Sequence, residues 1–304
     1  MTRQRGMAVI TAILVVALAA SAAAFMAWQQ QLWVRQVQNL NESAQARAVA
    51  RAALQWARSI LAEDARKDAV DHEGEPWATA LAPLPVEGGE LTGRILDAQG
   101  LFNLNSVVRG GRASAADVAA FGRLLAQLGL PAELAGALVD WIDPDGDTTY
   151  PGGAEDFHYL SLDPAYRAAN RALTTVDGLA RIKGYDEAAL AHLRPFVTAL
   201  PQPTPVNVNT APAEVLAAVI PELSLQQARA LLESRADRHF RDLADFRARL
   251  PPTAGPVNDT LLAVGSRYFV VAGHARVGRV RAGFEALLER GTTAWPRLVW
   301  QKNI

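Results

Sequence analysis

Arg3, Arg5 and Gly6 open the chain, and the sequence turns apolar at Met7 without a transition. No Asp, Glu, Lys or Arg occurs from Met7 to Val34, and Met7 to Ala27 is nearly all Ala, Val, Ile, Leu, Phe and Met. About 20 such residues, rising roughly 1.5 Å each, cross a ~30 Å hydrocarbon layer. Residues 7–27 are therefore predicted as a transmembrane helix. The arginines on the short N-terminal flank place that end in the cytoplasm and the rest of the chain beyond the membrane. A cleaved secretory signal fits less well. Ala19-Ala20-Ser21-Ala22 would pass as a cleavage site, but the apolar run continues past it, and a signal core is usually ~7–15 residues. Further along, Trp33, Val37, Leu40, Ala44, Ala48, Ala52, Trp56 and Ile60 recur every three or four residues, with Arg35, Gln38, Glu42, Arg47, Arg51 and Arg58 between them. This is one stripe at helical period, so residues 28–62 are predicted as an amphipathic continuation of the same helix, with the stripe on a soluble body. Gly74 and Pro76 place its end before the mid-seventies.

Strand patterns flank a helical middle. Glu90–Asp97, Tyr268–His274, Arg279–Glu289 and Arg297–Gln301 read as extended, with Gly278 and Gly291 supplying turns. Between them, Ser114 is predicted to cap AADVAAFGRLLAQLG, and Pro131 to open AELAGALVDWI. Thr210 with Pro212 and Glu214, Ser224 with Gln227, and Asp242 with Asp245 repeat the helix-start signal. The expected class is α+β: a long N-terminal helix and a small antiparallel sheet from 63–107 and 261–304, with an all-helical insertion at 108–260. FNLNSV at 102–107 and VNVNTA at 206–211 echo one another, each ahead of a helix pair.

Composition narrows the chemistry. Net charge is −1 and cysteine is absent, so neither a polyanion partner nor a disulfide framework is implied. The five histidines form no H-E-x-x-H pair, and no G-x-S-x-G, G-x-x-x-x-G-K-[ST] or strand-following G-x-G-x-x-G occurs. The chain is read as a non-enzyme, with His158 the one histidine beside the acidic stretch that carries the clearest chemistry. There, Asp140, Asp143, Asp145, Asp147, Glu155 and Asp156 fall within residues 140–156, a segment without Lys or Arg. Carboxylates spaced D-x-D-x-D on a Gly/Pro-rich loop suit calcium, which takes six to eight oxygens. The spacing is not an EF-hand, because Gly146 comes at the fourth position and Ala154 at the twelfth. On residues alone, solvated acids on a turn explain the same pattern.

A basic leader ending in Gly6, an apolar segment running into a long amphipathic helix, and a small sheet resemble a type IV pilin or pseudopilin. DWIDPDGDTTYPGGAEDFHY at 140–159 and LDPAYRAANRALTTVDGLARIKG at 162–184 are similar to the helical insertion of the minor pseudopilin K family of type II secretion systems. The resemblance covers nearly the whole chain. It implies a leader of residues 1–6 removed by a prepilin peptidase between Gly6 and Met7, N-methylation of Met7, and an inner-membrane anchor with a periplasmic body. It also implies a tip position on the short pilus that drives export of folded proteins. Partners would be other minor pseudopilins, the major pseudopilin, inner-membrane lipid and the secreted proteins. Thr11 stands where most pilins carry glutamate, a mark of the K subunit. The resemblance further implies calcium in the acidic region. Asp143, Asp145, Glu155 and Asp156 are the expected ligands together with Asp147, although an Asp at a turn also bonds its own backbone.

A rival reading concerns nucleic acid. Residues 206–246 are similar to the helix-hairpin-helix of membrane-anchored competence DNA receptors, where a glycine hairpin offers N–H groups to phosphate. Here the hairpin reads IPELS at 220–224, without glycine, and residues 201–250 hold six arginines against six acids. Phosphate neutralisation dominates nucleic-acid affinity, so this segment is expected to act as scaffold, with Asn207 and Asn209 fixing the chain ahead of Thr210.

Overall fold

A computed structural model describes residues 3–291 and 295–304, with side chains from Met7 onward; residues 1 and 2 of the expected leader lie outside it. Helix α1, Arg3–Asp64, is continuous for 62 residues, or roughly 90 Å at 1.5 Å per residue. From Met7 to Asn41 every residue is exposed, including Ile10, Leu14, Phe25, Trp28 and Trp33. Burial begins at Ala46 and continues through Ala50, Leu54, Ala57, Leu61 and Ala62. This corrects the predicted stripe: Ala44, Ala48, Ala52 and Trp56 face solvent. The upper half of α1 is apolar on two faces, and the sheet takes the one that carries Ala50, Leu54, Ala57 and Leu61. The stripe at 33–56 is left unpartnered.

After a loop, β1 (Leu81–Val86) and β2 (Gly89–Asp97) form an antiparallel hairpin. Sequence reading misses β1 because Pro83 and Pro85 lie inside it. It is tolerated as an edge strand, where the missing N–H groups disrupt no inner ladder. The chain then leaves for the helical body. Its short strands are β3 (Phe102–Asn103), β4 (Val108–Arg109), β5 (Arg112–Ala113), β6 (Val197–Thr198), β7 (Val206–Asn207) and β8 (Leu262–Ala263). Its helices are α2 (Ala115–Gln127), α3 (Glu133–Ile142), α4 (Asp156–Tyr159), α5 (Glu187–Leu193), α6 (Ala213–Val219), α7 (Leu225–Asp237) and α8 (Leu243–Ala248). One apolar core joins Phe102, Phe121, Leu138, Tyr159, Leu216, Phe240 and Leu262, so the body's packing reaches a few residues beyond 108–260 on either side. Strand β3 pairs parallel with β6, and β7 pairs parallel with β8.

The chain returns through β9 (Tyr268–Val277), β10 (Val280–Glu289) and β11 (Arg297–Asn303). The sheet is five-stranded and antiparallel, in the order β1-β2-β9-β10-β11. Because β2 and β9 pair from Gly89↔Val277 to Asp97↔Phe269, the body leaves and re-enters at one end of two neighbouring strands. One sheet face buries Leu91, Ile95, Phe269, Val271, Phe284 and Leu288 against α1. The opposite face contributes Tyr268 and Leu287 to a small cluster with Ala98 and Leu200.

Two predicted caps do different work. Ser114 precedes α2, but its hydroxyl donates to Asp117, which Arg109 also grips at 2.7 and 3.0 Å. Thr210 donates to Asp97 at 2.6 Å, and Pro212 opens α6 instead. The capping box of Ser224 with Gln227 and the Asp242 cap are formed.

The junction between sheet and body is polar and buried. Arg290, at the end of β10, donates to Asp64 at the end of α1, to Asp71, and to the Ser266 carbonyl, and its guanidinium lies 4.7 Å over the Phe269 ring. Burial pushes Asp64 and Asp71 each up to about 6; for Asp64 the facing Glu75 carboxylate adds to the shift. Replacing Arg290 with Met strips the counter-charge from two buried carboxylates. A loss of about 3–5 kcal/mol is expected at pH 7 in chemical denaturation, shrinking at pH 5 as the carboxylates take up protons.

The raised values also fix a sign. A carboxylate that binds its proton more tightly when folded contributes stability that is full below its unfolded value, near 3.8, and lost as pH rises through about 6. Asp64→Asn should therefore flatten the fall of melting temperature between pH 4 and 7 relative to wild type. Parallel curves for the two proteins would contradict this.

Candidate metal centre

The acidic segment leaves α3, whose residues Leu134 to Ile142 are all buried, and returns through α4. Trp141 packs edge-on to Tyr159 at 5.1 Å and to Tyr166 at 6.3 Å, so both ends of the loop are anchored in the core. Gly136 and Gly153 let the loop lie directly on α3. A Cβ on Gly136 would strike the Pro151 carbonyl, and one on Gly153 would strike the Asp140 carboxylate and the Thr149 carbonyl. Asp140 is fully buried and accepts from the Thr149 N–H through both oxygens, at 3.0 and 3.1 Å. It ties the loop down from within.

Asp143, Asp145 and Glu155 converge, each offering a carboxylate oxygen within 4.8 Å of the others. Asp143 and Glu155 are buried, yet Asp143 Oδ1 and Glu155 Oε1 have no hydrogen-bond partner. Buried oxygens with excess negative charge and no donor carry a large desolvation cost, which a cation would remove. The same imbalance pushes Asp143 up to about 6 and Glu155 to about 7, by burial first and then by the neighbouring carboxylates. The oxygen-only donor set suits a hard cation.

The other expected ligands stand apart. Asp147 is exposed, and its N–H donates to Asp145 at 3.0 Å in a local turn. Asp156 is held by Arg167 at 2.8 Å and by the Ala168 N–H at 3.0 Å. His158 packs edge-on to Tyr159 and is not among the converging ligands. The sequence reading did not foresee Lys183, whose Nζ donates to the Gly153 carbonyl at 3.3 Å. In sequence Asp140 is one acid among six, and the Gly152-Gly153 pair later in the same segment is the signal that the loop presses on a neighbour. The loop also displays Tyr150 and Phe157 almost fully to solvent.

A second carboxylate group offers a contrast. Asp64, Asp71 and Glu75 converge as closely, but Arg290 sits among them as a built-in cation. Among the described residues, Asp143, Asp145 and Glu155 form no salt bridge, and the nearby Lys183 ammonium reaches the Gly153 carbonyl instead.

The segment similar to a DNA-binding hairpin has different chemistry at its tip. Glu222 occupies the turn with φ of 61°, the left-handed region that glycine would hold at no cost. A carboxylate at that point repels phosphate. Arg235 is turned inward, donating to the Val208 and Ala211 carbonyls at 2.9 and 2.8 Å. Asn209 clamps both the N–H and the carbonyl of Phe240, at 2.8 and 2.9 Å. These residues brace the module internally.

The family model for type II secretion system (T2SS), protein K, matches residues 100–202, and a second model of the same description matches 206–265. The chain is 38% identical to the type II secretion system protein K of Pseudomonas aeruginosa, over 95% of its own length and 89% of that protein. It is 32% identical to the protein K of Aeromonas hydrophila, over 95% of its own length and 94% of that protein. Among solved structures, it is similar to a chain in the crystal structure of the GspK–GspI–GspJ complex from the enterotoxigenic Escherichia coli type 2 secretion system. The TM-score is 0.77 at 26% identity, covering 88% of this chain and 99% of that one. An exposed apolar helix running into an α1-backed sheet, with a helical body inserted between β2 and β9, is thus the architecture of the type II secretion system protein K family, to which the chain belongs as a minor pseudopilin.

Proposed function

We propose that this minor pseudopilin is anchored in the inner membrane through α1, carries its folded body in the periplasm, and caps the tip of the pseudopilus that exports folded proteins. The observation that carries the reading is the environment of Thr11 on an otherwise bare apolar helix. Its hydroxyl donates to the Met7 and Ala8 carbonyls, both at 3.0 Å, and so is satisfied within its own helix. In a pilus the apolar helices pack side by side, and the usual glutamate pairs with a neighbour's N-terminal ammonium. A subunit with Thr11 offers no such carboxylate but still carries the ammonium that follows cleavage between Gly6 and Met7, which N-methylation of Met7 would retain. It therefore fits a position where one contact is missing, at the end of the fibre. The helical body, set on the upper end of the sheet, would obstruct lateral packing elsewhere. The unpartnered stripe Trp33, Val37, Leu40, Ala44, Ala48, Ala52 and Trp56 is suited to neighbouring helices of other minor pseudopilins and the major pseudopilin. The GspK–GspI–GspJ assembly of the related structure supports partners of that kind.

Two measurements on protein made in its own host test this. The mature mass should correspond to loss of residues 1–6 by prepilin peptidase, with one added methyl on Met7; an intact Met1 would sink the assignment. Labelled protein should decorate only the ends of overproduced pili, and label along shafts would refute the tip position.

We further propose that calcium binds Asp143, Asp145 and Glu155 as a structural ion, its charge satisfying Asp143 Oδ1 and Glu155 Oε1. An ion bound only by the native state stabilises it by RT ln(1 + [L]/Kd). Saturation at about 100 times Kd should add about 2.7 kcal/mol, seen as a higher melting temperature that chelator reverses. Glu155→Gln should abolish most of that response while raising stability in chelator, because it removes a buried charge that repels Asp143. A melting temperature indifferent to both calcium and chelator would defeat the metal assignment.

A further inference from the structure

Two histidines meet across the joint between sheet and body. His72, in the loop after α1, and His239, in the connection between α7 and α8, stack with ring centroids 3.9 Å apart and planes 10° apart. Both are half-buried, and both line a groove of about 720 Å³ shared with Glu73, Arg235, Asp237 and Arg238, through which water reaches the rings. One hydrogen bond fixes the protonation state that this geometry needs. His72 Nδ1 accepts from the Gly74 N–H at 3.1 Å, so Nδ1 carries no proton and the neutral ring holds its proton on Nε2. Charging His72 would displace the Gly74 N–H and place a cation face to face with a second titratable ring.

The charges around the pair come from every element that meets there. Burial first, and the His239 ring second, hold His72 below its ordinary value; Asp68 and Asp64 favour the charged ring but are outweighed. Glu73 pairs with Arg235 of α7 at 3.7 Å. Glu75 is occupied by the His72 backbone N–H and the Trp77 indole N–H, each at 2.8 Å. On the body side, Arg249 of α8 pairs with Asp245 at 2.6 Å and donates to the Arg238 and His239 carbonyls at 2.8 and 3.4 Å.

The closed stack thus binds the His72 proton less tightly than an opened one would. Its contribution is complete above the usual histidine value of about 6.5 and is lost as pH falls below it. Asp64 and Asp71, each raised to about 6, run the other way and favour the joint as pH falls. The Asp71 side is also held by groups that do not titrate. Its N–H donates to the Val264 carbonyl at 2.9 Å, and Gly265 lies so close to the Ala69 carbonyl that a Cβ would strike it. One side of the joint therefore weakens in acid while the other holds.

We propose that the His72–His239 stack is a proton-operated latch: charging His72 parts the end of α7 and its connection to α8 from the loop after α1, and the body stays hinged at Asp71.

The absence of cysteine allows spin labels at Ala65→Cys, just past α1, and at Ala230→Cys on α7, both exposed positions. In full-length protein in detergent, double electron–electron resonance should give one narrow distance distribution at pH 7.5. A second, broader component should appear below about pH 6.5 and grow by up to about tenfold per pH unit. His72→Asn keeps an acceptor for the Gly74 N–H but cannot be charged, so its distribution should stay narrow down to pH 5. Asp64→Asn should retain the wild-type response. An unchanged wild-type distribution, the same broadening in His72→Asn, or its loss in Asp64→Asn overturns the proposal, since the last two would trace the response to the carboxylates at Arg290. If His72→Asn does not fold, the full chain with His158, His192 and His274 changed to Gln leaves two ring signals for magnetic resonance. One of them should titrate below about 6.5, over the range of the broadening, and two rings that both titrate at or above that value overturn the latch.

Discussion

The arrangement of this molecule turns on a single buried guanidinium. Arg290 directly follows β10, and it holds the end of α1 through Asp64, the following loop through Asp71, and the return from the helical body through the Ser266 carbonyl. The network continues outward. Asp71 accepts from the Ser266 N–H at 2.6 Å, and Asp97, at the end of β2, accepts from Ser266, Thr210 and Asn207. Helix, sheet and body thus meet at one set of charges whose donors and acceptors are nearly all matched. Such a network yields little net stability compared with a well-packed apolar joint. Its value lies in geometry, since each hydrogen bond is satisfied in one orientation of the body, while the apolar contact of Tyr268 and Leu287 with Ala98 and Leu200 is small and forgiving.

The same joint shows how an internal repeat has diverged. Asn103 and Asn207 each accept from the N–H two residues on, and each ends a parallel two-residue ladder. Asn105 grips both backbone groups of Leu173, as Asn209 grips those of Phe240. The first Asn of each copy then parts company with the other. Asn103 spends its amide N–H groups inside the body, on Gln202 and Thr204, whereas Asn207 sends its own to Asp71, Asp97 and Ser266. One copy closes the body, and the other fastens it to the sheet.

Much of this was legible in local pattern and much was not, for physical reasons. The long helix, four of the five sheet strands and the capping box at Ser224 follow from periodicity and local hydrogen bonding. The fifth strand hid behind Pro83 and Pro85, because edge position, not propensity, decides whether prolines are tolerated. Ser114 and Thr210 looked like caps until distant or neighbouring carboxylates claimed their hydroxyls. The buried face of α1 was misjudged because alanines occupy both candidate faces, and only the partner sheet selects one. In the acidic loop, residue type pointed to clustered carboxylates, but Asp156 pairs with Arg167 instead of joining Asp143, Asp145 and Glu155, and no spacing rule foresees that pairing. Arg290 with Asp71 spans 219 positions and leaves no local trace.

The division of labour along α1 follows from where polar groups are allowed. Its lower half carries a few uncharged polar residues, with Thr11 satisfied by its own backbone, so that stretch can exchange lipid for packed helices without stranding a charge. The same surface could not remain in water: side chains such as Ile10, Leu14 and Phe25 are about 60–65% exposed, and each would forgo roughly 1.5–3 kcal/mol of burial there. Everything that must stay fixed is placed at the opposite end. Asp64 is 30 residues past Val34, about 45 Å along the axis, and the carboxylate loop is carried by the body fastened there. Because the coupling between the two halves is one continuous helix and not a shared core, the environment of the lower half can change completely while the joint at Arg290 and the loop at Asp143 keep their geometry. That is the physical requirement the proposed passage from membrane to fibre would place on such a subunit.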